Sequence, residues 1–259
     1  MSKAKEGYKK MEQNISETIN VSSSKVKEAL EKALKDPDEG VRQKAANSLL
    51  QIEAKTSLDT YILMLDSDDR ATRIQAIYLL AELATEPAIE LLQQRMRDPY
   101  DDVRAAVIQA LGNSSDNYTT HQIQEKAVHI ALMGLKDVNL SIKASAADAL
   151  AKFSSSKDFP HDPRTTEALL TLLTTGTNDE TEDAQPVISA LMALGEIGDK
   201  SVVPDVMKKA KADNLEIKEA ALKTLGKLRD PRAEACLIEA LTSKSARIRM
   251  QAAESLGNI

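Results

Sequence analysis

Apolar and polar positions along this chain follow a beat of 31 residues. The phrase Ala-x-x-x-Leu-Gly at residues 221–226 returns at 252–257, and weaker copies extend back almost to the start. The first core position of each copy falls at Val41, Thr72, Val103, Ile142, Pro186, Ile217 and Ile248. Position 5 is then Ala45, Ala76, Val107, Ala146, Ala190, Ala221 and Ala252, and position 9 is Leu49, Leu80, Leu111, Leu150, Leu194, Leu225 and Leu256. At about 100° per residue, positions 1, 5 and 9 share one helix face. Alanine at position 5 suits close approach of a neighbouring helix, and leucine at position 9 fills the space beside it.

A second periodic segment precedes each of these B helices. Eleven residues before position 1 stand Leu30, Tyr61, Leu92, Ala131, Val206 and Leu237; seven before stand Leu34, Leu65, Met96, Leu135, Ala210 and Leu241. These predict A helices joined to the B helices by short turns. The fifth A helix carries Leu169, Leu172 and Leu173 and reaches its B helix through a longer loop. Three residues before position 1 come Asp38, Asp69, Tyr100, Asn139, Asp183, Asn214 and Ser245, six of them good N-cap residues. The repeat thus predicts an all-α protein, an α-solenoid of about seven two-helix units, as one domain over 24–259.

The beat fails in the middle. Loops at 113–120, 154–165 and 175–183 interrupt it, the last carrying Asp179, Glu180, Glu182 and Asp183. Loops on a regular scaffold are either tolerated insertions or recognition elements. Residues 1–23 read differently, with Tyr8, Met11, Ile15 and Ile19 at helical spacing among charged residues. They predict an amphipathic N-terminal helix that caps the first repeat or docks on a partner. At the other end, the last B helix is followed by no polar capping helix.

Composition narrows the function. Aromatics make up 3% of the chain and Trp is absent, so the core is aliphatic. The net charge of −6 disfavours nucleic acid and anionic membranes, because phosphate binding rests on Lys and Arg. No secretory signal or apolar run of membrane length is visible, and the single cysteine, Cys236, forms no internal disulfide. A cytoplasmic protein is the expectation.

Catalytic chemistry finds little to stand on. His121, His129 and His161 are not paired at helical ligand spacing, so no metal site is expected. Cys236 sits beside core Leu237 with no histidine or cationic cluster near it in sequence, as for a structural thiol. There is no glycine-rich phosphate loop. Gly112, Gly195, Gly226 and Gly257 fall where helices end, as terminators or as close-packing sites. No cofactor and no enzymatic activity are expected.

The segments Asp36-Pro37-Asp38-Glu39-Gly40-Val41-Arg42, Asp98-Pro99-Tyr100-Asp101-Asp102-Val103-Arg104, Ala193-Leu194-Gly195-Glu196-Ile197-Gly198-Asp199 and Leu225-Gly226-Lys227-Leu228-Arg229-Asp230-Pro231 resemble HEAT-like repeats, in particular the short-repeat branch named after phycobilisome lyase subunits. That resemblance implies a right-handed α-solenoid that serves as an interaction scaffold, or alternatively a subunit of a bilin (phycocyanobilin) lyase or isomerase. It also implies an arginine at position 2 bonded to aspartates of neighbouring turns, here Arg42, Arg73, Arg104, Lys143, Lys218 and Arg249, with Val187 breaking the ladder. HEAT-like metalloenzymes carry His-Glu pairs, and none occurs here.

Positions 3 and 7 of the B helices point away from the 1/5/9 seam, toward the concave side of a stack. There stand Gln43 and Asn47, Ile74 and Tyr78, Ala105 and Gln109, Ala144 and Asp148, Ile188 and Met192, Glu219 and Lys223, Met250 and Glu254. Two apolar pairs at corresponding places, Ile74/Tyr78 and Ile188/Met192, suggest a groove for a peptide or helix. The expected function is a non-catalytic scaffold that binds a protein partner along this face, with no nucleic-acid partner and no membrane insertion.

Overall fold

The computed structural model describes residues 25–155, 162–175 and 184–259. All regular structure there is helical. Residues 25–33 form α1. There follow α2 (Glu39–Leu65), α3 (Arg70–Leu83), α4 (Glu86–Arg95), α5 (Asp101–Asn113), α6 (His121–Gly134) and α7 (Leu140–Ser154). The chain continues with α8 (Pro163–Thr175), α9 (Gln185–Ile197), α10 (Val203–Lys209), α11 (Leu215–Leu228), α12 (Glu234–Ala240) and α13 (Ala246–Leu256). The expected N-terminal helix at 1–23 and nearly all of the acidic loop 175–183 lie outside the described residues.

The chain divides into two compact units, Met1–Leu63 and Met64–Ile259. In the first, Asp38 caps the start of α2 by accepting from the Val41 N–H at 3.1 Å. Arg42 closes the preceding turn by donating to the carbonyls of Asp36 and Pro37. Position 5, Ala45, is buried.

One expectation is corrected here. The first B helix and the second A helix, predicted as separate, are one helix of 27 residues, α2. Between Leu50 and Leu58 the sequence has neither glycine nor proline, so nothing stops the helix there. After α3, α9 and α11 the chain does stop, in a left-handed residue: Ala84 at φ 47°, Gly198 at φ 77° and Arg229 at φ 49°.

The second unit is an α-solenoid. Each B helix packs on the next, in the order α3, α5, α7, α9, α11, α13, and each of α5 to α13 packs on the A helix before it. Neighbouring B helices lie against one another more closely than neighbouring A helices do, which makes the B layer the inner, concave side. The residues explain the closeness. In this unit position 5 is fully buried in every repeat, and position 9 is buried in all but the last. Position 8 adds small residues, among them Ala149, Thr224 and Ser255. The Thr224 hydroxyl donates to the Leu191 carbonyl at 2.8 Å, and the Ser255 hydroxyl to the Leu222 carbonyl at 2.9 Å. Each bond ties a B helix to the backbone of the one before.

Glycine at position 10 serves the same contact in α5, α9 and α11, while Gly257 caps the end of α13. Gly112, Gly195 and Gly226 lie inside α5, α9 and α11. A Cβ on Gly112 would stand 3.1 Å from the Ala149 Cβ, and one on Gly226 would stand 2.8 Å from the Ser255 Cα. The residue that ends α9 is Gly198 instead.

Candidate functional site

The A–B turns come first, because they set the direction of every B helix. Asp69, Asn139 and Asn214 cap α3, α7 and α11 through their side chains. Tyr100 and Ser245 occupy the cap position without a side-chain bond, and α9 has Ala184 at its cap. At Tyr100 the aromatic face is used instead: the Arg70 guanidinium lies 4.7 Å from its ring centroid.

The position-2 cations do two jobs. Arg73, Arg104 and Arg249, like Arg42, donate to main-chain carbonyls of their own turn. Arg73 and Arg104 also reach into the following repeat. Arg73 Nε donates to Asp98 at 3.1 Å, and Arg104 Nε and Nη2 grip Asp137 at 2.7 and 2.9 Å. All four side chains are about nine-tenths buried. The Arg104 guanidinium holds the Asp137 carboxyl below its ordinary value, and the carboxylate raises the arginine in turn. Asp101 adds a contact to Arg104 at 2.6 Å.

Both acceptors stand five residues before position 1 of the next repeat. That place holds Asp98 and Asp137, but Ser67, Thr181, Ala212 and Ser243 elsewhere. The ladder expected over six cations therefore has two aspartate rungs among the described residues. Arg42 and Arg249 serve their own turns, and Lys143 and Lys218 are half-buried with no carboxylate at the corresponding place.

On the concave side, the residues expected at positions 3 and 7 are reached by solvent to different degrees. Gln43 is exposed in the first unit, and the Asn47 side chain lies outside the described set. In the second unit Tyr78, Gln109, Asp148, Lys223, Met250 and Glu254 are exposed, while Ile74, Ile188, Met192 and Glu219 are half-buried. The Tyr78 hydroxyl donates to Gln109 Oε1 at 3.2 Å, linking position 7 of consecutive repeats.

Sequence reasoning missed that the exposed stripe also includes positions 0 and 11. Asp102 at position 0 pairs with Arg70. Arg247 at position 0 pairs with Glu219, and Lys227 with Glu196, both at position 11. Lys152 donates to Asn113 Oδ1 at 3.0 Å, again between two positions 11. The 31-residue register held this signal, since each pair joins equivalent or adjacent places of successive repeats.

The inserted loop at 113–120 is anchored in the core. Tyr118 is buried, packs against Phe153 in a tilted arrangement with ring centroids 5.9 Å apart, and donates to the Leu111 carbonyl at 2.8 Å. An open groove of about 470 Å³ runs along α8, lined by Glu167, Leu170, Thr171 and Asp199 among others. His121 and His129 lie on α6, and His161 is outside the described residues. No group of three potential metal ligands occurs among the described residues. Cys236 is buried, and desolvation, with Glu239 nearby, pushes its thiol up, away from the reactive thiolate. No helix among the described residues is long and apolar enough to cross a membrane.

Comparison with known proteins matches residues 26–112 and 182–257, together more than half of the chain, to HEAT repeats. No curated protein matches the sequence. Among solved structures, the chain is similar to the complex of CpcE and CpcF of phycocyanin lyase from Nostoc sp. PCC7120, at 21% identity and a TM-score of 0.53, covering 76% of this chain and 74% of that one. It is also similar to a designed armadillo repeat protein in complex with the peptide (KR)4, at 15% identity and a TM-score of 0.51, covering 77% and 98%. An engineered protein matches at 20% identity and a TM-score of 0.51, covering 77% and 94%. At these identities the likeness is one of fold.

Proposed function

We propose, from the premise that this chain belongs to the HEAT-repeat family, that it is a non-catalytic scaffold whose concave B-helix face binds a segment of another protein. Repeat solenoids of this kind commonly mediate protein binding. The observation that carries the reading is the stripe itself. Ile74, Tyr78, Ala105, Gln109, Ala144, Ile188 and Met192 run along the inner layer with one charge, Asp148, among them; Tyr78 and Gln109 are exposed, and Ile74, Ile188 and Met192 are half-buried. The designed armadillo protein, with the same kind of fold, holds a peptide. With B helices about 10 Å apart, four repeats offer a partner on the order of 30 Å of surface.

Affinity capture with the Ile74→Glu/Ile188→Glu double variant tests the reading. Proteins recovered by the wild type, and by a variant altered on the outer face of α4 such as Glu90→Lys, are lost with the double variant. A double variant that folds normally and retains every partner overturns it.

The alternative is a subunit of a bilin lyase, a finer placement in the short-repeat branch. Its support is the fold shared with the CpcE–CpcF complex. Titration with phycocyanobilin decides it: no change in the bilin absorbance removes this reading.

A further inference from the structure

Positions 3 and 7 of the second to fifth repeats hold eight side chains, and one of them is charged. Asp148, on α7, stands among Ala144, Gln109, Ile188 and Met192, with Ile74 and Tyr78 beyond. It is exposed, and among the described residues it has no ion-pair partner. Lys152, one turn further along α7, is engaged with Asn113 instead. Elsewhere in the B layer three charged pairs join neighbouring repeats: Asp102 with Arg70, Glu196 with Lys227, and Glu219 with Arg247.

We propose that Asp148 sets the specificity of this face, selecting a partner peptide that carries a lysine or arginine between two apolar side chains. The proposal rests on the scaffold reading above and names the chemistry of its partner. A segment that covers Ile188/Met192 and Ile74/Tyr78 also covers Asp148 and strips water from it. A lysine or arginine replaces that water with a charge-assisted hydrogen bond. A neutral or acidic residue leaves the carboxylate desolvated and unmatched, so the same group that attracts one partner rejects others.

The spacing follows from the fold. With neighbouring B helices about 10 Å apart, Asp148 lies on the order of 10 Å from the Ile188/Met192 row and 20 Å from the Ile74/Tyr78 row. In an extended segment rising about 3.3 Å per residue, the partner's cation stands roughly six residues from one apolar anchor and three from the other.

The test uses fluorescein-labelled peptides on a Gly-Ser background, with Leu, then Lys six residues on, then Leu three further, made in both chain directions, and matched peptides with Glu for Lys. Fluorescence polarisation with the full chain is expected to show the Lys peptide of one direction binding about fivefold or more tightly than its Glu counterpart. The exposed substitution Asp148→Lys reverses the preference, and far-UV circular dichroism checks that it folds. Equal binding of the two peptides by the wild type, or an unchanged preference in Asp148→Lys, overturns the proposal. So does absence of Lys-peptide binding up to about 1 mM, while the capture experiment above still decides the scaffold reading. If Ile74→Glu/Ile188→Glu binds the Lys peptide as tightly as the wild type, the stripe is not the binding face and both readings fall.

Discussion

Replacing Gly226 with alanine destabilises the last repeat, whereas the same change at Gly195 stabilises the protein. The two glycines occupy the same place in the repeat, and ordinary helix propensity favours alanine at both by about 1 kcal/mol. The difference lies in what the new methyl meets. At Gly195 the nearest atoms are Lys227 Cδ at 3.3 Å, Thr224 Cγ2 at 3.5 Å and Lys227 Cβ at 3.6 Å. A lysine stem moves aside at small cost, so a gain of about 0.5–1 kcal/mol survives. At Gly226 the methyl stands 2.8 Å from the Ser255 Cα, Cβ and Oγ. A Cα cannot rotate away, so α13 must retreat by several tenths of an ångström. That strains the buried Ser255–Leu222 hydrogen bond, now 2.9 Å. Overpacking costs about 1–3 kcal/mol and a weakened buried hydrogen bond about 1 kcal/mol more. Set against the propensity gain, the net is a loss of about 1–3 kcal/mol. Hydrogen exchange followed by mass spectrometry is the suitable assay, because solenoid repeats open locally. In Gly226→Ala, amides of α13 exchange about five to a hundred times faster while those of α5 and α7 are unchanged; in Gly195→Ala, protection rises in α9 and α11. Shifts of the same sign in the two variants, or a Gly226→Ala protein as protected as the wild type in α13, would refute the packing argument.

The Arg104–Asp137 pair gives the protein a specific acid sensitivity. The Asp137 pKa is lowered in the folded chain from an ordinary 3.8, so its contribution is present above that value and lost as pH falls through the folded one; Asp137→Asn costs about 1.5–3 kcal/mol at pH 7, and the gap between the urea midpoints of wild type and variant begins to close only as pH drops below about 3.8. Asn214 accepts from the N–H groups of Glu216 at 2.9 Å and Ile217 at 3.1 Å, so Asn214→Ala lowers stability by about 1 kcal/mol; Ser245→Ala, at an equivalent cap that makes no side-chain bond, leaves urea unfolding nearly unchanged, and equal effects in the two variants count against the capping assignment.

Most of the solenoid was legible because its signals are short-range and repeated. Alanine at position 5 in six of the seven repeats and leucine at position 9 in all of them mark the seam, and Asp69, Asn139 and Asn214 mark helix starts by their own chemistry. What was not legible depends on two places at once. The run from Leu50 to Leu58 fits a loosely formed turn as well as a helix, and only the missing breaker decides for α2. Position-10 glycine reads equally as a stop or as a close-packing site until the small residue facing it at position 8 of the next repeat is known. The arginine ladder looked like a property of position 2, yet Arg73 and Arg104 complete it only because Asp98 and Asp137 stand five residues before the next core position. For the concave stripe, the sequence supplied positions 3 and 7 and their apolar pairs. It did not show which charges pair across repeats, as Lys227 does with Glu196 and Arg247 with Glu219, and which, like Asp148 within the apolar stretch, do not.

The two aspartate rungs bear on how such a chain can be edited. Each rung is owned jointly, with the arginine in one repeat and its acceptor in the next. Excising the third repeat, from Asp98 to the residue before Asp137, would bring Arg73 to the same acceptor position now held by Asp137, and the junction would heal. Excising the fourth would set Arg104 against Thr181 and leave its buried guanidinium with Asp101 of its own turn as its one remaining carboxylate. Copies of this unit are therefore interchangeable only in the direction of the rung, and the boundary between the fourth and fifth repeats is where the string stops being made of equivalent beads.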